Sequence, residues 1–340
     1  LSAILVTGGA GYIGSHNVQY LQACGYRVLV LDDLSRGFAD AVPADRLIRG
    51  HTGDAELLDR VFAEHTIDAV VHFAAFIEVG ESVGHPSRYY RNNVGNTLVL
   101  LDAMARHGVK RLVFSSTAAI FGLPEYTPID EQHPKAPINP YGRSKWIVEQ
   151  LLADYESAYG LHSVCLRYFN AAGADPAGAL GERHQPETHL IPLVLQAASG
   201  RRGAISIFGD NYDTEDGTCI RDYIHVEDLA QAHRLALDHL LAGNGSAAFN
   251  LGNGNGYSIR EVIDTARRVT GRDFPVEAAP RRPGDPPVLV ADSTRAREVL
   301  GWRPQYAELD TIVAHAWAWE LRKGGALVSD AHGCTHSVRV

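Results

Sequence analysis

A doubly wound parallel α/β sheet, followed by a smaller α/β lobe, is the fold this sequence predicts, and three observations carry it. Short apolar runs alternate with stretches of helical length, a glycine-rich turn follows the first run directly, and from Phe169 onward the alternation gives way to Gly- and Pro-rich loops. Residues 4–6, 27–31, 68–73, 111–114 and 163–166 read as strands, being apolar and too short for helices. Between them, roughly 12–55, 86–107 and 139–159 have helical length, the first interrupted by a strand near Leu47. Asn139 is a good N-cap, and Pro140 suits the first helical position, where its missing N–H costs nothing. Further on, 226–241 reads as a helix and 248–251 as a strand expected to return to the first sheet. The division predicted is therefore 1–168, rejoined by about 226–251, then mainly 169–323 as a second lobe. Residues 324–340 show no clear periodicity and are expected to form a loosely held tail.

The bulk properties exclude several classes. Across 340 residues, 45% hydrophobic and 21% charged content is ordinary for a soluble globular protein. A net charge of -9 argues against general nucleic-acid binding. Cys24, Cys165, Cys219 and Cys334 are scattered without a Cys-x-x-Cys pair, so structural zinc is not expected and a reducing cytoplasm is the simplest compartment. No apolar run is long enough to span a membrane, and residues 3–6 lead into a folded element rather than a signal peptide. The 16 His residues include no His-Glu-x-x-His pattern, so they read as surface or core residues and no metal is expected.

Two motifs carry chemistry. The first strand runs into Thr7-Gly8-Gly9-Ala10-Gly11-Tyr12-Ile13-Gly14 and then a helix. Gly8, Gly11 and Gly14 give one dinucleotide-type spacing, and Gly9, Gly11 and Gly14 give another. Either allows a tight turn whose following helix offers unpaired N–H groups to a diphosphate. The second strand ends at Asp32, where a carboxylate accepts from both ribose hydroxyls and repels a 2′-phosphate, which favours NAD over NADP. The second motif is Tyr141 four residues before Lys145 at a helix start, where the two share one face. A phenol is too weakly acidic to serve as a base at neutral pH, and a nearby cation lowers its pKa. On its own the pair also fits two unrelated surface residues. Ser115-Ser116-Thr117, at the carboxyl end of a strand, supplies hydroxyls to the same cleft, and Thr117 is placed to relay a substrate proton to Tyr141.

In that order these motifs resemble the extended short-chain dehydrogenase/reductase superfamily, with its Rossmann-like sheet. Further runs are similar to those of the UDP-glucose 4-epimerase family: Val79-Gly80-Glu81-Ser82, Leu166-Arg167-Tyr168-Phe169-Asn170, Thr214-Glu215-Asp216-Gly217-Thr218, Arg221-Asp222-Tyr223-Ile224-His225-Val226 and Asn250-Leu251-Gly252. The likeness spans about residues 3–302. It implies NAD as cofactor, UDP-galactose and UDP-glucose as substrates, and a cycle of hydride removal at sugar C4, rotation of the 4-keto sugar and hydride return. Tyr141, Lys145 and Thr117 would be catalytic. Gly8, Gly11, Tyr12, Ile13, Gly14, Asp32, Phe73, Lys145 and Tyr168 would hold the cofactor, with His72 helping Tyr168 shape the nicotinamide pocket. Thr117, Tyr141, Asn170, Phe208, Arg221, Arg282 and Asp285 would meet the UDP-sugar, Phe208 at the uracil, both arginines at the diphosphate and Asp285 at a ribose hydroxyl.

The resemblance also implies a homodimer built from helices near 86–107 and 139–159, although Trp146 and Leu152 fit a core equally well. Some positions depart from the family pattern. His51 stands where an Asp usually receives the adenine amino group, Ile77 replaces a Lys, and Thr117 stands for a common Ser. Leu289, beside the sugar's C2 substituent, favours plain hexoses over N-acetylated ones. A nucleotide-sugar 4,6-dehydratase would need an acidic pair after Thr117, where this chain has Ala118 and Ala119. Epimerases of other UDP-sugars, and an NAD-sensing protein without catalysis, complete the alternatives; the presence of Tyr141, Lys145 and Thr117 argues against the last.

Overall fold

The computed structural model describes residues 2–282 and 284–331, the last eight by their backbone alone. In chain order the first half comprises β1 (Ala3–Thr7), α1 (Tyr12–Ala23), β2 (Val28–Asp32), β3 (Leu47–Arg49), α2 (Ala55–Glu64), β4 (Ile67–His72), α3 (Val79–Gly84), α4 (Pro86–Tyr89), α5 (Asn96–Arg106), β5 (Arg111–Thr117), α6 (Pro140–Tyr159) and β6 (His162–Tyr168). The second half comprises β7 (Asn170–Ala172), α7 (Leu190–Ala198), β8 (Ile205–Phe208), β9 (Ile220–His225), α8 (Val226–Leu241), β10 (Ala247–Leu251), β11 (Gly256–Ser258), α9 (Ile259–Thr270), β12 (Val276–Ala279), β13 (Val288–Leu289), α10 (Thr294–Val299) and α11 (Leu309–Ala331).

Seven strands form the main sheet in the order β10-β6-β5-β4-β1-β2-β3. Every pairing in it is parallel, which requires a crossover between neighbours and puts helices on both faces. Side chains alternate across each strand, so Ile4 and Val6 pack with α1 and α8 while Ala3 and Leu5 pack with α2, α5 and α6. This explains why β1 and β2 read as unbroken apolar runs: both faces are covered. The strand order reverses at β1 and β4, and in such sheets ligands bind at that point, beyond the carboxyl ends of the strands.

The region expected to be helical over 12–55 holds one helix ending at Ala23, then β2, two short turns and β3. Within 86–107 a π-helical segment, Tyr90–Gly95, separates α4 from α5. Past β6, a second sheet is centred on β9, paired in parallel with β7 and β13 and antiparallel with β11. Beside it, α7, α9 and α11 enclose their own apolar cluster. The last helix continues to Ala331, beyond the position 324 at which the sequence suggests a loose tail; residues 332–340 of that expectation lie outside the described residues.

Candidate active site

The glycine turn is built by close contacts. Gly8 adopts φ +69, and a Cβ there would lie 2.5 Å from the backbone nitrogen of Ala74, because the chain leaving β4 crosses directly over the turn. Phe73 N–H donates to the Thr7 carbonyl at 2.9 Å, locking the two loops together. A Cβ on Gly14 would meet the Gly8 carbonyl oxygen at 2.2 Å, so α1 can pack this tightly only without a side chain there. Gly11 is the N-cap of α1 and offers no side chain to its first N–H groups, which leaves the donors of Tyr12 and Ile13 for an anion. Asp32 is buried at the end of β2, and its carboxylate accepts from Ala10 N–H at 2.9 Å and Leu34 N–H at 2.8 Å. Burial raises its pKa. These features fit a dinucleotide: N–H donors for the diphosphate, no side chain in the way, and a carboxylate held in place for a ribose.

One face of α6 carries the second motif. Tyr141, Lys145 and Glu149 follow at i, i+4 and i+8, facing β5. Asn139 caps the helix, accepting from Gly142 N–H at 2.8 Å. Thr117 hydrogen-bonds to the Tyr141 phenol, which lowers the phenol pKa, but burial dominates and raises it. Lys145 is not bonded to Tyr141; its Nζ donates to the Ser115 carbonyl at 2.8 Å. Burial brings the Lys145 pKa down to about 7. Sequence reasoning put an ammonium against the phenol to ionise it. In the structure desolvation acts on both groups, so the resting phenol is neutral.

The three hydroxyls separate by strand alternation. Ser115 pairs with the Tyr168 phenol, Thr117 with Tyr141, and Ser116 points to the other face, donating to Glu149 at 2.5 Å. Glu149 also forms a bidentate pair with Arg167, with contacts of 3.0, 3.2 and 2.6 Å. Neither Glu149 nor its pairing is visible in the motif. Tyr168 lies beside the cleft, and burial raises its pKa.

His72 is set back from the cleft. Thr97 spends its hydroxyl proton on the Asn93 carbonyl at 2.7 Å, so the 2.9 Å contact between Thr97 and His72 Nε2 requires an N–H there. Nδ1 then accepts from Thr7 at 2.6 Å. The imidazole is a neutral strut between β1 and α5, and burial lowers its pKa to about 3. Asn93, in the π-helical segment, is a further residue the sequence did not disclose: it bonds both backbone groups of Phe76 and, at 3.0 Å, Ser144 beside Lys145. His51 is exposed, and its ring nitrogens engage Gly53 N–H and the Asn96 amide, each at 3.1 Å. Ile77 is exposed.

The residues expected around the nucleotide sugar gather on β7, β8, β9 and the loop before β13. Asn170 donates to the Asp222 carbonyl at 2.9 Å. Arg221 and Asp285 are ion-paired at 2.5 Å, and the Arg282 guanidinium stacks 3.9 Å over the half-exposed Phe208 ring. Asp285 N–H bonds the Arg282 carbonyl, so one turn presents both pairs. In the Arg221 to Val226 motif, two residues have structural work: Asp222 is buried and accepts three backbone N–H groups from Asn253, Gly254 and Ala291, while His225 caps α8.

The sequence matches the NAD dependent epimerase/dehydratase family over residues 4–252. The UDP-glucose 4-epimerase of Halalkalibacterium halodurans is 56% identical over 317 residues, covering 93% of this chain and 95% of that protein. Among solved structures, UDP-glucose 4-epimerase from Brucella ovis in complex with NAD superposes with TM-score 0.91 at 50% identity, covering 93% of this chain and 98% of that one. The Bifidobacterium longum UDP-glucose 4-epimerase, in complex with NAD+ and UDP, gives 0.89 at 39% identity over 95% and 99% of the two chains. With the glycine turn, Asp32 and the Tyr141 helix placed as described, the chain belongs to the NAD dependent epimerase/dehydratase family.

Proposed function

We propose that this chain is an NAD-dependent UDP-glucose 4-epimerase, interconverting UDP-galactose and UDP-glucose. The observation that carries the reading is the Thr117–Tyr141 hydroxyl pair, held two strands from the glycine turn at the same edge of the sheet. NAD, when bound, supplies a hydride acceptor and donor at sugar C4 and a positive charge beside the phenol. The N–H groups of Tyr12 and Ile13 at Gly11 would hold its diphosphate, Asp32 its adenosine ribose and Lys145 its nicotinamide ribose, with Phe73 also against the cofactor and Tyr168 shaping the nicotinamide pocket.

Tyr141 takes the proton of the 4-hydroxyl through Thr117 and later returns it. Burial holds the phenol neutral at rest even with Lys145 fixed nearby by the Ser115 carbonyl, so forming the base would need the further positive charge that bound NAD+ would bring. The 4-keto sugar turns about its bond to the diphosphate between these two transfers. Arg221 and Arg282 grip the diphosphate with Asn170, Asp285 meets a uridine ribose hydroxyl, and Phe208 lies against the uracil; Arg221 then divides its donors between phosphate and Asp285. Leu289 packs against the small apolar cluster of Ile120, Phe121 and Ile129, and its branched, mid-sized side chain beside the sugar's C2 substituent favours a plain hexose over an N-acetylated one. On this reading residues 1–168, with 226–251, serve the cofactor and 169–323 mainly the nucleotide sugar.

The same reading includes a homodimer over the outer faces of α5 and α6. Exposed Leu98 and Tyr159 support it; Leu152 is buried in the core and lends nothing to it, and Trp146 is partly buried against Ile120, Phe121 and Ile129. It also includes a cytoplasmic setting, supported by free Cys24, Cys165 and Cys219; among the described residues no helix is long and apolar enough to cross a membrane. The decisive experiment is product analysis with a panel of UDP-sugars, N-acetylated and carboxylated ones included. UDP-galactose should become UDP-glucose without added cofactor; no interconversion by NAD-loaded protein would refute the proposal.

A further inference from the structure

Ahead of α7 the chain reads Gly181-Glu182-Arg183-His184-Gln185-Pro186-Glu187-Thr188-His189. No His-Glu-x-x-His pattern marks this segment, but it is a loop that brings four ligand-type side chains together. One donor atom from each of Glu182, His184, Glu187 and His189 lies within 4.8 Å of all the others. His184 Nδ1 is 2.8 Å from Glu182 and 4.0 Å from Glu187, and His189 Nδ1 is 3.8 Å from Glu187. Ligands about 2.0–2.1 Å from a tetrahedral ion are separated by roughly 3.3 Å, so these spacings bracket what one ion requires.

Both carboxylates are buried, with side chains only 5% exposed, and so not the solvated acidic cluster common on surfaces. Once metal binding has displaced any proton from the imidazoles, the two buried carboxylates balance a divalent charge. Imidazole together with carboxylate suits zinc-class ions rather than magnesium or calcium, which prefer all-oxygen shells. Outer contacts fix the ligands: Glu187 accepts from the N–H groups of Thr188 and His189 at 2.8 and 3.0 Å, and Trp319 donates to the Glu182 carbonyl at 3.0 Å.

We propose that Glu182, His184, Glu187 and His189 form a structural site for one divalent transition-metal ion of the zinc class. Its position gives it a consequence. The His184 ring meets the Tyr12 ring edge-on at 6.2 Å, and Arg36 donates to the Gln185 carbonyl at 2.6 Å. Gly181, Arg183 and His184 share one cavity with Gly11 and Tyr12. The ion therefore pins this loop over the first turn of α1, and, on the reading of that turn as the diphosphate seat, slows the loss of NAD.

The test uses tag-free full-length protein stripped with EDTA, loaded with Zn2+ or Co2+ and desalted. About one metal per chain is expected by mass spectrometry, with the intense visible absorption of four-coordinate Co2+ and a higher thermal midpoint with Zn2+. Glu187→Gln and His189→Gln should each weaken binding at least about tenfold. Less than one-tenth equivalent bound by the wild type, or a weak six-coordinate Co2+ spectrum, overturns the site and leaves a purely ionic Glu–His network; so does unchanged affinity in both variants. The wild-type measurements decide the matter even if a variant fails to fold. NAD should leave the metal-free protein faster on dialysis, and equal rates overturn the coupling. Metal stoichiometry and the Co2+ spectrum need no turnover, so their outcome is separate from failure of the epimerase reading.

Discussion

Replacing Glu149 by Gln tests whether the tyrosine helix is held from beneath. Glu149 and Arg167 are almost wholly buried, with side chains 5% and 7% exposed, and share three contacts plus the Ser116 hydroxyl. Gln keeps the volume and removes the charge, leaving the Arg167 guanidinium buried without a counter-ion. Breaking one partner of such a pair costs about 3–5 kcal/mol, a large part of the 5–15 kcal/mol typical of folded proteins. Urea unfolding at fixed NAD concentration measures it. Glu149→Leu with Arg167→Met should recover most of the loss, because a buried ion pair replaced whole by apolar groups is often near neutral. The reaction should report the change too. Glu149 raises the Lys145 pKa, so without it the ammonium is lost at lower pH, and the alkaline limb of the rate profile should move down. A Glu149→Gln protein within 1 kcal/mol of wild type, or a double variant as unstable as the single, would refute the argument.

Tyr141→Phe removes proton transfer and leaves the UDP contacts in place, so turnover should fall by about 10²–10⁴ while UDP affinity, measured calorimetrically, stays within a few-fold; near-normal turnover would show that the base lies elsewhere. Asp32→Ala should reduce the preference for NAD over NADP in binding assays, and it also orphans the Ala10 and Leu34 N–H groups, adding about 1–3 kcal/mol of instability. Asp32→Asn keeps one acceptor oxygen and separates the two effects; an unchanged preference in both variants places the carboxylate away from the ribose. For His72 the folded pKa of about 3 lies below the free value of 6.5, so the unfolded chain binds a proton first as pH falls. Its contribution to stability is full above pH 6.5 and declines from there towards 3, by about 1.4 kcal/mol per pH unit. His72→Gln should flatten the acid side of the stability curve by that slope, and parallel curves would mean the imidazole is not held neutral.

How far the sequence disclosed this molecule depended on how locally each feature is encoded. The apolar runs located β1, β2, β4, β5 and β6, yet most of these strands run on past the apolar run into polar residues: Thr7, Asp32, Ser115 to Thr117, Arg167 and Tyr168. Ladder hydrogen bonds do not depend on side-chain polarity, so hydrophobic patterning ends the strand early where polar residues begin to face the cleft. The short boundary in the sequence reading thus coincides with the site. Tyr141 and Lys145 are legible because i and i+4 share a helix face, and the glycine turn because its spaced glycines fall within seven residues, although the backbone that excludes a side chain at Gly8 is that of Ala74. Arg221 and Asp285 are 64 residues apart, and no spacing rule joins them; only the family likeness placed both at one ligand. The sequence reads Tyr90–Gly95 as plain helix, since one π turn leaves the apolar pattern intact, and the bond of Asn93 to Phe76 comes from outside that pattern. Glu149 was missed although it continues the face of Tyr141 and Lys145, because a buried charge is recognisable only beside its partner. The groups that position Tyr141 and Lys145 thus depend on tertiary contacts, whereas those expected to touch the ligands lie mostly in turns, strand ends and one helix face that the sequence spells out.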